Sequence, residues 1–143
     1  MRNAAIIATA RTPIAKAFRG AFNNTTAPTL GGHVIAEAVR RAGIEGGSVD
    51  DVIMGTSFQA GTTGMNIGRM SALAAGLPDS VPGMSIDRQC ASGLMSIATA
   101  AKQIIVDGQD VVVAGGVEQV SLVQGKAIEF AMSQKDPTLL RLA

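Results

Sequence analysis

From Ala91 to Ala101 the chain carries no charged residue, and its only polar side chains are Ser92, Ser96 and Thr99. The stretch has helical character, yet a helix with one side in water shows a charged stripe on that side. Small residues all round predict a helix covered on both sides by other layers. The rest of the chain supplies strands for only one sheet, so the sequence predicts that one covering layer is not encoded within it.

Apolar runs and helical periods alternate along the chain. Ala4–Thr9 is an apolar run bounded by Arg11-Thr12-Pro13 and reads as a strand buried on both faces. Residues 16–28 are rich in Gly, Asn and Thr and read as a surface loop. Leu30–Ala42 is amphipathic: Leu30, Val34, Ile35, Ala38, Val39 and Ala42 share one face, His33, Glu37, Arg40 and Arg41 the other, and Gly43 ends it. Val49–Thr56, Gly83–Arg88 and Asp110–Gly116 read as further strands. Asn66–Gly76 and Cys90–Asp107 read as helices, the second closed by Gly108. Strands separated by helices imply an α/β fold with a mixed, mostly parallel sheet of βα units.

Composition narrows the function classes. A formal net charge of +1 and no Lys/Arg cluster give no footprint for nucleic acid or an acidic membrane surface. A single cysteine excludes an internal disulfide and a multi-cysteine zinc site, and it fits a reducing compartment, with the cytoplasm as the expected location. The apolar run at 4–10 is too short to span a bilayer and lacks a signal-peptide pattern. Gly61, Gly64 and Gly68 do not have the spacing of a dinucleotide fingerprint.

That one cysteine, Cys90, falls where a strand is expected to turn into the uncharged helix. The first N–H groups of a helix lack internal partners and carry partial positive charge, which stabilises a thiolate placed there. The same groups, with the backbone N–H of Cys90, can hold an oxyanion formed when sulfur attacks a carbonyl. Ala91, Ser92 and Gly93 keep the approach open. This is the chemistry of acyl transfer through a covalent thioester. On the turn alone a second reading stands beside it, because most lone cysteines are inert packing.

Four ordered segments resemble one family. Arg88-Gln89-Cys90-Ala91-Ser92-Gly93-Leu94 matches the nucleophile motif of thiolases. Arg11-Thr12-Pro13-Ile14, followed by Phe18-Arg19-Gly20-Ala21-Phe22-Asn23, resembles their N-terminal signature. Gly55–Pro78 resembles the segment that builds much of the family's dimer contact, and Ala114–Ser121 the glycine-rich strand end that follows the nucleophile helix. Ketoacyl synthases also place a cysteine at a helix start, but Arg11–Ile14 and Gly115–Ser121 favour thiolase. The resemblance implies a thiolase-like fold of two similar βα halves, whose sheets sandwich two central helices. Residues 1–120 would be the N-terminal half and 121–143 the start of the loop domain that covers substrate. It implies thiolytic cleavage of a 3-ketoacyl-CoA, or the reverse condensation, through an acyl-cysteine at Cys90. Coenzyme A would be a substrate, and no metal or redox cofactor would be needed. The intact protein would be a homodimer or homotetramer through residues 55–78.

The sequence departs from the family in one respect. Thiolases also use a histidine and a second cysteine from their second half, whereas the only histidine here is His33 and the only cysteine Cys90. His33, on the polar face of an early helix, reads as a solvated residue. The chain therefore reads as truncated, with little or no turnover expected from it alone. The alternative is a non-catalytic dimerising fragment. Glu118 reads as a support for active-site loops, Arg69 as a helix or dimer-contact charge, and Met65, Met70, Met84 and Met95 as core and interface filler.

Overall fold

The computed structural model describes residues 2–125 together with Glu129, Phe130, Ser133, Asp136, Pro137 and Arg141. The expected loop-domain start at 121–143 therefore lies mostly outside the described residues. In order, the elements are α1 (Ala27–Ala42), β1 (Asp51–Gly55), α2 (Ile67–Ala74), β2 (Gly83–Ile86), α3 (Ser92–Lys102), β3 (Val112–Gly116) and α4 (Val120–Val123). A wider π-type turn, Gln103–Asp107, extends α3.

The three strands form one sheet in the order β2-β1-β3, and both pairings are parallel. Gly55 of β1 is level with Ile86 of β2 and with Gly116 of β3, so all three strands end at one edge. β1 is central and fully buried. Its side chains alternate between the faces, as strand geometry requires. Val52 and Met54 join Ile35, Val39, Ile67 and Ala72 in the apolar core under α1 and α2. Asp51 and Gly55 face α3: Gln103 Nε2 donates to Asp51 Oδ2 at 3.0 Å, and Gly55 abuts Ser92. The result is helices on both faces of a parallel sheet, the layering expected of βα units.

Local signals account for the helix limits. Thr26 caps α1, its hydroxyl accepting the Thr29 N–H at 3.4 Å, and Pro28 sits in the first turn, where a missing N–H costs nothing. The helix thus starts three residues before the expected Leu30, because Pro28 is tolerated in a first turn and does not break the helix there. Gly43 and Gly108 end α1 and the π-type turn in left-handed conformations, at φ 67° and 82°, as their sequence positions suggested.

Two expectations fail. Ala4–Thr9 forms no strand and is not buried on both faces; Ile6 and Ile7 are exposed. An apolar run becomes a strand only by pairing with a neighbour, and this segment is tethered by side chains instead. Arg2 reaches the Gly108 carbonyl and the Asp110 carboxylate, and Arg41 donates to the Thr9 carbonyl at 2.7 Å. Nor do the named methionines fill the core, the first half of what was expected of them; the interface half stays open. Met65 and Met70 are exposed and Met84 and Met95 half-buried, while among the described residues Met54 on the central strand is the buried methionine.

The uncharged helix is covered on one side. Ser92, Ser96 and Ala100, one helical turn apart, are buried against the sheet. Leu94, Ile97 and Ala98 on the outer side are exposed, and no described residue covers them.

Candidate active site

In doubly wound sheets, ligand clefts form beyond the carboxyl ends of the strands, where successive connections diverge. β1 leads to β2 on one side, and β2 leads across it to β3 on the other, so the carboxyl edge of β1 is such a point. The segment from Ile86 to Ser92 lies there.

Between β2 and α3 the chain turns sharply. Gln89, immediately before the cysteine, is left-handed at φ 52°, a conformation that costs a non-glycine residue roughly 1–2 kcal/mol. Hydrogen bonds hold it in place. The Asp87 carboxylate accepts the Gln89 N–H at 2.8 Å. The buried Ser92 hydroxyl accepts the Arg88 N–H at 2.8 Å and donates to the Gln89 carbonyl at 2.6 Å. The Ala91 N–H donates to the Arg88 carbonyl at 3.1 Å and the Ser92 N–H to the Gln89 carbonyl at 3.0 Å. The Cys90 N–H is not among the donors of this network.

Cys90 is a free, exposed thiol two residues before the first residue of α3. It opens on a cleft of about 240 Å3, lined also by Gly55, Gly93, Gly116, Val117 and Glu118. Three of those residues have no side chain, so the sulfur is approachable. They also let α3 settle onto the strand ends: a β-carbon on Gly116 would lie 3.0 Å from the Gly93 Cα. Inert packing of a buried thiol does not describe this cysteine.

Glu118 anchors the loops around the cleft, as its sequence position suggested. Its Oε1 accepts the Thr56 hydroxyl at 2.7 Å, and its Oε2 accepts the Ser57 N–H at 2.9 Å and the Ser57 hydroxyl at 2.7 Å. Thr56 and Ser57 carry no motif of their own in the sequence; their position just past β1 is the available signal. Beyond Glu118 lies a second cavity of about 280 Å3, lined among others by Pro13, Ile14, Phe22 and Leu30.

Other sequence candidates lie apart. His33 is exposed on α1 and lines neither cavity. Arg69 is a half-buried strut. It donates to the Asp79 carbonyl at 2.8 Å and to the Val81 carbonyl, fastening the loop before β2 to α2. Two carboxylates far from the cleft are held acidic. Glu37 is lowered to about 2 by hydrogen bonds from Arg40 and then Arg41. Asp50 is lowered by the N–H groups of Val111 and then Asp110. Among the described residues no group of His, Cys, Asp and Glu could hold a metal ion, and no helix is long and apolar enough to cross a membrane.

The fold and cleft define an α/β protein with an exposed cysteine over the carboxyl edge of a parallel sheet. A family model described as "Thiolase, N-terminal domain" matches residues 4–137, and the chain belongs to the thiolase family. It is 39% identical over 123 residues to a 3-ketoacyl-CoA thiolase of Bacillus subtilis, covering 86% of this chain and 32% of that protein. It is 42% identical over 121 residues to an acetyl-CoA acetyltransferase of Cupriavidus necator, covering 85% and 30%. The crystal structure of the Bacillus anthracis acetyl-CoA acetyltransferase superposes with a TM-score of 0.79 at 47% identity, over 85% of this chain and 30% of that one. The chain thus spans about a third of the length of these relatives.

Proposed function

We propose that this chain carries the nucleophile of a thiolase-type acyltransferase, with Cys90 forming the acyl-thioester. The observation that carries the reading is an exposed cysteine at a constrained strand-to-helix turn, facing a glycine-lined cleft. The relatives' names, 3-ketoacyl-CoA thiolase and acetyl-CoA acetyltransferase, supply the substrate class.

In the cleavage direction the Cys90 thiolate adds to the 3-keto carbon of a 3-ketoacyl-CoA. The resulting oxyanion would lie against the Cys90 N–H. Collapse breaks the bond between carbons 2 and 3, and the electron pair leaves on acetyl-CoA as its enolate, which takes up a proton. The acyl group stays on sulfur until the thiol of free CoA displaces it, returning the thiolate. Condensation is the reverse. The family's histidine and second cysteine, which move the protons, have no counterpart among this chain's His33 and Cys90. The expected outcome is acylation without sustained turnover by this polypeptide alone.

Incubation with acetyl-CoA, followed by intact-mass analysis, tests this directly. One acetyl group on the wild-type chain and none on Cys90→Ser is the expected pair of results. An unmodified wild type refutes the acyl-cysteine reading, and ordinary thiolysis rates with acetoacetyl-CoA refute the expectation of inactivity.

In this reading residues 1–120 are the N-terminal half of the thiolase fold and residue 121 opens the substrate-covering domain. The protein acts in the cytoplasm. Residues 55–78 form the contact of a homodimer or homotetramer. Exposed apolar side chains favour that role for the segment: Met65 at 90%, Met70 at 40% and Leu73 at 44% of their accessible surface. The same side chains support the second reading, a dimerising fragment without catalysis. Sedimentation with and without an intact thiolase subunit checks it, and a monomer that ignores the intact subunit counts against it.

A further inference from the structure

We propose that Glu118 is a positioning residue for Cys90, fixing the spacing of the strand ends on which the cysteine's turn rests; this builds on the reading of Cys90 as nucleophile. Three donors converge on the Glu118 carboxylate, all from the two residues that follow β1. The strut therefore spans the carboxyl ends of β1 and β3. It is reinforced by the Val117 N–H, which donates to the Gly55 carbonyl at 3.0 Å.

From there the restraint passes to the nucleophile by two routes. Thr56 is 1% exposed, and its N–H donates to the carbonyl of Ile86, the last residue of β2, at 3.0 Å. Only Asp87, Arg88 and Gln89 separate that anchor from Cys90. The second route is contact: Gly55 and Gly116 form the seat on which Ser92 and Gly93 rest, with no side chain between the backbones. If the strand ends move apart, the first turn of α3 loses its seat and the sulfur shifts within the cleft. A carboxylate suits this task because hydrogen bonds to an ionised acceptor are about twice as strong as neutral ones. Among the described residues Glu118 forms no ion pair, so its charge is met by these donors.

The test compares wild type, Glu118→Ala and Glu118→Gln as the full chain, reading iodoacetamide alkylation of Cys90, acetylation by acetyl-CoA and the urea midpoint. Glutamine keeps an acceptor for Thr56 but presents an amide N–H to Ser57. The expected order of both rates is wild type, then Glu118→Gln, then Glu118→Ala, the last slower by about tenfold or more, as for a reacting group displaced by a fraction of an ångström to one ångström. The partial rescue by glutamine, in chains folded by circular dichroism, separates positioning from plain loss of fold. Wild-type rates in either folded variant overturn the proposal, as does a glutamine variant no faster than the alanine one. If Glu118→Ala does not fold, the glutamine rate alone decides. Failure of the wild type to take up acetyl refutes the thiolase-type reaction, and alkylation still decides the role of Glu118.

Discussion

Gly55 and Ser92 approach so closely that a β-carbon on Gly55 would lie 2.3 Å from the carbonyl carbon and oxygen of Ser92. The contact joins the end of the central strand to the first residue of the helix that follows Cys90. Backbone atoms on both sides leave nothing flexible to yield. Gly55→Ala should therefore lower stability by about 1–3 kcal/mol, the usual cost of overpacking. It should also lift the first turn of α3 and slow alkylation of Cys90. Urea unfolding and thiol kinetics measure both effects; a variant with unchanged midpoint and unchanged rate would show that the helix does not rest on this strand end.

The Ser92 hydroxyl predicts a second effect. It is 3% exposed and closes the turn around Cys90 by bonding Arg88 and Gln89. Ser92→Ala removes both bonds and leaves the Arg88 N–H without its partner, at a cost of about 1–3 kcal/mol. With the clasp gone, the left-handed Gln89 is held less firmly, and alkylation of Cys90 should fall relative to the unfolding midpoint. Ser92→Gly should behave alike, since the effect belongs to the oxygen and not to the volume of the side chain.

These two residues mark where the sequence was legible and where it was not. Periodicity and stop residues located β1, β2, β3, α1, α2 and α3 because each signal is local: a short apolar run, a capping Gly43, a closing Gly108. The uncharged run at 91–101 correctly required a helix packed against the sheet. Its outer face is left without cover by the described residues, as the shortage of strands implied. The place of Cys90 between a strand and a helix was legible for the same reason. The strand at Ala4–Thr9 was misread because an apolar run carries no information about its partner. The Glu118 contacts to Thr56 and Ser57, and the Ser92 clasp, were illegible in detail. Each depends on which oxygen meets which donor in three dimensions, across a separation of 62 residues in the case of Thr56 and Glu118.

Acid should weaken the junction between β1 and β3. Asp50 Oδ2 accepts the N–H groups of Asp110 at 2.7 Å and Val111 at 2.9 Å, and these bonds hold its pKa below the ordinary carboxylate value. A depressed folded-state pKa means that its contribution is complete above the unfolded-state value. It is lost as pH falls through the folded one. Asp50→Asn should thus destabilise the chain near neutrality, and the gap from wild type should close as the medium is acidified. Asp50 is exposed, so the gap should be modest. Urea midpoints of both chains across the acid range give the comparison; a gap that stays constant with pH would assign the effect to shape and not to charge.

The outer face of α3 predicts how the chain behaves in solution. Leu94 is 72% exposed and Ile97 41%, with Val106 at 76% beyond them on the π-type turn. No charge between Ala91 and Ala101 opposes contact between two such faces. Exposed apolar surface of this kind promotes association. The wild-type chain should sediment as larger species with rising concentration, and Leu94→Glu combined with Ile97→Lys should reduce that trend. Both side chains point away from the sheet, so the fold should survive, which circular dichroism would report. Equal sedimentation of the two chains across the concentration range would assign the association to another surface, with Ile14 and Met65, the most exposed large apolar side chains among the described residues, the next to change.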